Sequence, residues 1–391
     1  MKPGKPFLAT ILIILSMTFA VRASNNMFST TIPLLAKYNF HFDEVMVGLI
    51  SAAGAAGTFL MSALVNARLR SGARRTVFIA SSFVYMAVFP LFYLANSFFL
   101  WPLVIISGFV LGAIFPNIVT SASLFSDKKV RERTLSLYTL TLSISLVAGP
   151  AIESEVLKYF SLQQSFLFFS VFPVLAFLTS FFIRFPEEIG KTGAGGRDTL
   201  SNHGFRAALY TIMTYNIPFA MILTFGGIFA KEYFGASYST ITLLFSMFFL
   251  TSFLSRLMFT ARTPENLWKL MVLSVAITGI GLLVLSLSTD LLIFAVSFLI
   301  LGFPHGFTFP ISIITITRNI EPEKRSIANS YFFSIIMLIG TVMPFASGLL
   351  VGAIGLRDAF ISIIPLIFVL FLMLRLEMSR GHNERTEAAA I

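Results

Sequence analysis

The chain contains no cysteine. Disulfides, thiolate metal sites and cysteine nucleophiles are excluded, and the redox compartment stays open. Charge is scarce too: Asp, Glu, Lys and Arg make up 12% of the 391 residues, where soluble domains carry about 25%. So few ionised groups do not cover a 43.2 kDa globule, and most of the exterior has to face hydrocarbon. The four histidines, at 41, 203, 305 and 382, are scattered, and there is no Gly-x-Ser-x-Gly or His-Glu-x-x-His. An intramembrane enzyme needs a nucleophile and a base at one depth, and none is evident. The expectation is a non-enzyme with neither cofactor nor metal. Gly190-Lys191-Thr192 resembles the end of a phosphate-binding loop, but Phe185 stands where that loop needs glycine, and an apolar run precedes it instead of a strand. ATP hydrolysis is not indicated.

Apolar residues are abundant: 56% hydrophobic, 45 Phe and a mean hydropathy of +0.86. Runs long enough to span hydrocarbon, roughly 17 to 25 residues, recur near 7–34, 44–65, 76–95, 98–125, 134–156 and 165–185. Six more follow near 206–230, 238–260, 268–288, 291–317, 326–353 and 358–376. The stretch between the two sets, 190–204, is Gly-rich and polar and reads as a flexible linker. The pattern predicts an all-α polytopic membrane protein: a six-helix bundle over 1–189, the linker, a second bundle over 205–378 and a tail over 379–391.

The net charge of +10 sits in short clusters between apolar runs, which suits anionic lipid head groups better than nucleic acid. Of the 28 Lys and Arg, only Lys37, Lys158, Lys231 and Arg357 fall on the outer side, with Arg22 inside a span. The positive-inside rule then puts both termini in the cytoplasm, as in a multi-pass protein of the cell membrane. Lys2 and Lys5 ahead of an apolar stretch ending near Ala20 and Ala23 would also suit a cleaved signal peptide. Its removal would leave eleven spans and upset the charge asymmetry, so the stretch is read as the first span.

Sliding the sequence by 194 residues lays Phe115-Pro116 on Phe309-Pro310 and Gly108 and Gly112 on Gly302 and Gly306. Ala36-Lys37 meets Ala230-Lys231, Ala67-Arg68 meets Ala261-Arg262, Asp127 and Arg131 meet Glu321 and Arg325, Ser136 meets Ser330, and Pro150 meets Pro344. A constant offset of this kind means two parallel six-helix repeats, with a substrate path expected at their interface near the midplane. On these features the chain resembles a major facilitator superfamily transporter over all twelve spans and the linker. The gating loop after the second span is altered: Arg68, Gly72, Arg74 and Arg75 keep the glycine and the arginine pair, but the spacing shifts and the aspartate is missing. Gly149 and Pro150 keep part of the glycine-rich antiporter signature in the fifth span, with Glu153 and Ser154 where its closing glycines would be. The export-linked arginine of the fourth span is absent.

Arg22 interrupts the first apolar run. Thr18, Arg22, Asn25, Asn26, Ser29 and Pro33 share a helical stripe, and an unpaired arginine at the bilayer centre costs about 2.5 to 3.5 kcal/mol on insertion scales. The resemblance implies that the first, fourth, seventh and tenth spans line a cavity. Asn117, Thr120 and Ser121 form a similar stripe on the fourth, and His305, Thr308, Ser312, Thr315 and Asn319 on the tenth. The offset sets Asn216, beside Tyr215, opposite Arg22. Together these predict a wet, weakly basic pocket between the repeats.

Alternatives stay open for each residue. Arg22 pairs with Glu153, contacts an anionic or polar substrate, or caps backbone near Pro33. Proton coupling needs a titratable group in reach, and the candidates are Glu153, Glu155 and His305. His305 could equally donate to a carbonyl beside Pro304 and Gly306. Arg256 is read as a head-group anchor, and the Asn, Ser and Thr stripes have an ordinary role as interhelical hydrogen bonds. Proton-coupled export of an amphipathic, drug-like solute is one functional expectation, motivated by Gly149-Pro150 and a wall rich in Phe and Met. A carrier for a small organic anion held by Arg22 is another, and a non-transporting receptor or scaffold is a third. The expected partners are a small-molecule solute, a proton and the lipid bilayer, with the protein working as a monomer.

Overall fold

A computed structural model describes residues 5–125, 127–185, 197–261, 266–321 and 324–390. Most of the expected linker, 190–196 with Gly190-Lys191-Thr192, lies outside these residues, as do Lys2 and Arg262. Every regular element among them is helical, and twelve stretches are long and apolar enough to cross a membrane, from Leu8–Asn39 to Leu356–Arg380. The helices are α1 (Lys5–Leu34), α2 (Glu44–Phe59), α3 (Ser71–Val88), α4 (Leu100–Ala122), α5 (Lys128–Val156), α6 (Leu162–Phe169) and α7 (Val171–Ser180). They continue as α8 (Arg197–Ser201), α9 (His203–Phe234), α10 (Tyr238–Ala261), α11 (Leu267–Leu287), α12 (Leu291–Asn319), α13 (Arg325–Ile354) and α14 (Leu356–Ala390). The sixth span is α6 and α7 in series, and α14 runs on through the residues expected as a tail.

The scarce polar residues mark helix starts. Asp43, Asp127, Asn266 and Asp290 each accept a hydrogen bond from a backbone N–H in the first turn of the next helix. Ser161 and Gln164 form a reciprocal capping box ahead of α6. These caps satisfy donors that have no partner inside the helix.

The chain divides into two compact units. The first is Met1–Gly190 with Gly235–Ser246 and Pro344–Leu349; the second is Lys191–Phe234, Met247–Met343 and Leu350–Ile391. In the first, α1 packs along α5 and α7, and α4 along α2 and α3. The first turns of α10 belong to this unit, with Ser154 Oγ donating to the Ser239 carbonyl at 2.8 Å. In the second, α9 packs on α12 and α14, and α11 on α12 and α14.

One helix crossing is built twice. A Cβ on Gly108 would strike the Gly54 carbonyl, and one on Gly112 the Thr58 carbonyl; on Gly302 and Gly306 it would strike the carbonyls of Phe248 and Ser252. All four pairs obey the 194-residue offset. Such backbone contact is what small residues permit in lipid, where packing drives helix association. Gly279, by contrast, faces open space. Gly108→Leu is expected to lower the detergent melting temperature, as overpacking by about 1 to 3 kcal/mol or more would, while Gly279→Leu leaves it unchanged; equal effects would disprove the crossing's role.

Candidate functional site

Helix α1 is buried on most sides. Thr18, Asn26 and Pro33 are enclosed, and Leu15, Phe19, Arg22, Asn25 and Ser29 keep partial access along one stripe. Arg22 lies near the middle of the first span. Its guanidinium stacks over the Phe115 ring, Cζ 4.0 Å from the centroid, and Nη2 donates to Tyr138 Oη at 3.5 Å. It makes no ion pair among the described residues.

The pairing of Arg22 with Glu153 does not form. Glu153 is fully buried and accepts a hydrogen bond from Thr31 Oγ1. Thr31 is nine residues beyond Arg22, about 13.5 Å along the axis at 1.5 Å per residue, which is more than the two side chains bridge. Among the described residues Oε2 of Glu153 has no hydrogen-bond partner. Glu155 is exposed and pairs with Lys158 at 2.6 Å, away from any enclosed site.

Asn26 has a structural task. Pro150 lacks an N–H, so the carbonyl four residues back in α5 loses its helical donor. That carbonyl belongs to Leu146, and Asn26 Nδ2 donates to it at 3.1 Å. Gly149 lets α1 come close enough, since a Cβ there would lie 3.1 Å from the Ala23 carbonyl oxygen. Gly149-Pro150 thus forms the α1–α5 contact.

On the α4 stripe Asn117 and Ser121 turn away from accessible space, while Thr120 keeps partial access. Asn117 is buried and donates to Asn66 Oδ1 at 2.8 Å, Thr120 Oγ1 bonds back to the Pro116 carbonyl, and Ser121 is enclosed without a partner for its hydroxyl. Asn117 thus meets the tail of the second span, and its burial and that of Ser121 correct their placement in a cavity wall. In the altered gating loop, Arg74 is buried and donates to the carbonyls of Asn66 and Leu69, closing the end of the second span. Arg68 is exposed, Gly72 borders open space, and Arg75 reaches the Phe181 carbonyl at 3.5 Å.

In the second unit Tyr215 and His305 meet, ring centroids 5.5 Å apart. Phe219, Phe248 and Phe249 complete an aromatic ring set around the imidazole, at 4.6, 5.5 and 5.7 Å. His305 Nδ1 hydrogen-bonds Ser252 Oγ at 2.6 Å rather than a neighbouring carbonyl. Asn216 is half-buried. Thr308 and Ser312 are corrected: both are fully buried, Thr308 bonded across to Ser274 of α11 at 2.7 Å and Ser312 to the Thr308 carbonyl. Arg256 is half-buried, not solely a head-group anchor; its Nε donates at 3.3 Å to the Gly306 carbonyl, the group freed by Pro310.

Sequence reasoning missed Glu377. The last helix extends past the expected span, and Glu377 is buried against His203 Nδ1 at 2.5 Å, with Arg206 at 3.7 Å. The i, i+3 spacing of His203 and Arg206 was the available signal. No group of three His, Asp or Glu among the described residues could hold a metal.

Residues 14–261 and 207–390 both match the sequence profile of the Major Facilitator Superfamily. No curated protein matches the chain by sequence. Among solved structures it is similar to a bacterial homologue of the human lysosomal transporter Spinster, inward-facing and occupied, at TM-score 0.76 and 14% identity over 97% of this chain and 98% of that one. The nucleoside transporter NupG aligns at TM-score 0.73 and 13% identity, covering 94% and 99%. The human organic anion transporter MFSD10 aligns at 0.67 and 14%, covering 95% and 100%. At such identities these likenesses show the fold.

Asn26→Leu is expected to destabilise the protein by about 1 to 3 kcal/mol by leaving a buried carbonyl unpaired. In a Pro150→Ala background, where the backbone supplies the donor again, the same change should cost less than half as much. Additive losses in detergent unfolding would refute the link.

Proposed function

The chain belongs to the major facilitator superfamily, and from that premise we propose that it is a proton-coupled carrier of a small organic anion, with Arg22 as the anchor for the charged group. It is a multi-pass membrane transporter and not an enzyme; the anion, the proton and the anchor are our reading. Arg22 carries it. A guanidinium in mid-span has no carboxylate partner among the described residues, and a cation–π contact returns about 0.5 to 2 kcal/mol. That is less than the 2.5 to 3.5 kcal/mol, roughly, of placing it there. The difference favours an anion on its accessible side, and Phe115 suits a ligand with a planar or apolar part. MFSD10 transports organic anions, but the argument rests on Arg22 and not on that likeness.

Glu153 is the proton carrier in this reading. It is buried without a cation partner among the described residues, and Oε2 has room in its hydrogen-bonding for a proton. We take the carrier to work by alternating access, as a monomer in the cell membrane with both termini cytoplasmic, on the asymmetry of Lys and Arg. A second reading, export of an amphipathic or drug-like solute, is favoured by the aromatic set around His305, which suits varied apolar shapes.

Arg22→Ala should weaken binding of organic acids to the purified protein at least tenfold and leave neutral lipophiles unaffected, with Arg22→Lys intermediate. Unchanged acid affinity would overturn the anion reading, and loss confined to lipophiles in Phe219→Ala would favour the second. In proteoliposomes, Glu153→Gln should abolish accumulation driven by a pH gradient while preserving counterflow exchange. Retained pH-driven accumulation would remove Glu153 from the coupling.

A further inference from the structure

The two repeats differ most tellingly at one corresponding position. In the first, Arg74 folds inward and closes the end of the preceding span by donating to two carbonyls. The 194-residue offset puts Trp268 at that place in the second. Trp268 stacks on Phe371 of α14 instead, centroids 5.9 Å apart and planes 18° from parallel. Beside Trp268 lies a cavity of about 440 Å³, among the first turn of α11, the last turn of α12 and α14. Its volume falls within the range of small-ligand sites, roughly 300 to 1,000 Å³.

The lining is divided by polarity. Trp268, Met271 and Met378 supply apolar wall, and Asn266, Thr315 and Arg318 supply polar groups. No carboxylate lines it among the described residues. Glu377, next to Met378, is engaged by His203 and Arg206. A second cation, Arg375, is not itself in the lining but lies on α14 between Phe371, which stacks on Trp268, and Met378, which lines the cavity. Arg375 is exposed and makes no ion pair or hydrogen bond among the described residues.

We propose that this cavity binds a phosphate group attached to an apolar moiety, with Arg318 and Arg375 on the phosphate and Trp268, Met271 and Met378 on the apolar part. The chemistry is shared by the head group of an anionic phospholipid and by a soluble phosphate ester. Basic pockets between transmembrane helices recognise lipid head groups by this combination, and tryptophan is favoured at that depth. The site is independent of Arg22 and of whichever solute the protein carries.

Trp268 reports on it directly. The other tryptophan, Trp101, stacks on Phe42 in the first unit, so Trp101→Phe leaves one fluorophore at the cavity. The full chain in maltoside detergent is titrated with dioctanoyl phosphatidylglycerol, dioctanoyl phosphatidylcholine and inorganic phosphate. A saturable change with phosphatidylglycerol, at least tenfold weaker with the zwitterionic lipid and in the Arg318→Ala/Arg375→Ala double variant, is expected for a lipid occupant. Saturation by inorganic phosphate at comparable concentration, with the same loss in the double variant, supports the site and points to the soluble source. Arg318→Lys should keep affinity within about threefold, which separates loss of charge from loss of fold. No saturable response to any probe, or a double variant that titrates like its parent, overturns the proposal.

Discussion

In hydrocarbon every backbone N–H and C=O has to find its partner inside the protein, and this requirement organises what is seen here. A helix meets it unaided until a proline removes a donor. In α5 Pro150 opens the Leu146 carbonyl and Asn26 of α1 closes it; in α12 Pro310 opens Gly306 and Arg256 of α10 closes it. Tyr215 and Ser255 donate to the carbonyls of Leu301 and Phe303 on the same proline-bearing helix. Polar side chains that suggest a wet surface are thus partly consumed in repairing helices, and each repair fixes one helix against its neighbour.

Duplication explains the symmetry of this scheme, and divergence its use. The glycine crossings of α2 with α4 and α10 with α12 are the same contact at a constant offset, because close backbone approach tolerates no side chain in either copy. Positions freed from that demand have diverged. Arg22 faces Asn216 in the alignment and Arg74 faces Trp268, so in both exchanges the first repeat carries a cation where the second has a neutral group. One exchange leaves a guanidinium inside a span with no ion pair among the described residues; the other sets a tryptophan beside a cavity.

Arg22 and Glu153 illustrate how depth decides chemistry. Had they paired, neither would have had charge to offer a solute or a proton. Separation by some nine residues of α1 leaves Arg22 over Phe115 and Glu153 against Thr31, two ionisable groups that make no ion pair with each other. Glu153 is fully buried and Arg22 keeps partial access, so the two sit in different surroundings as well as at different depths.

The sequence alone determined the class: low charge, twelve apolar runs, alternation of Lys and Arg, and the 194-residue offset are properties of composition and order, and the bilayer converts them into helices with little freedom left. It also marked which residues are costly in lipid, Arg22, Asn26, Glu153 and His305 among them. Tertiary structure decided what those residues do. Helical periodicity places Asn117, Thr308 and Ser312 on a stripe, yet it does not say whether the stripe meets water or another helix, and each of the three is turned away from open space. Nor did spacing disclose that Glu377 would be covered by His203, or that Trp268 would stack on Phe371 beside a cavity. These outcomes depend on contacts between residues far apart in the chain, and a one-dimensional pattern carries the cost of burying a polar group but not the identity of the group that meets it.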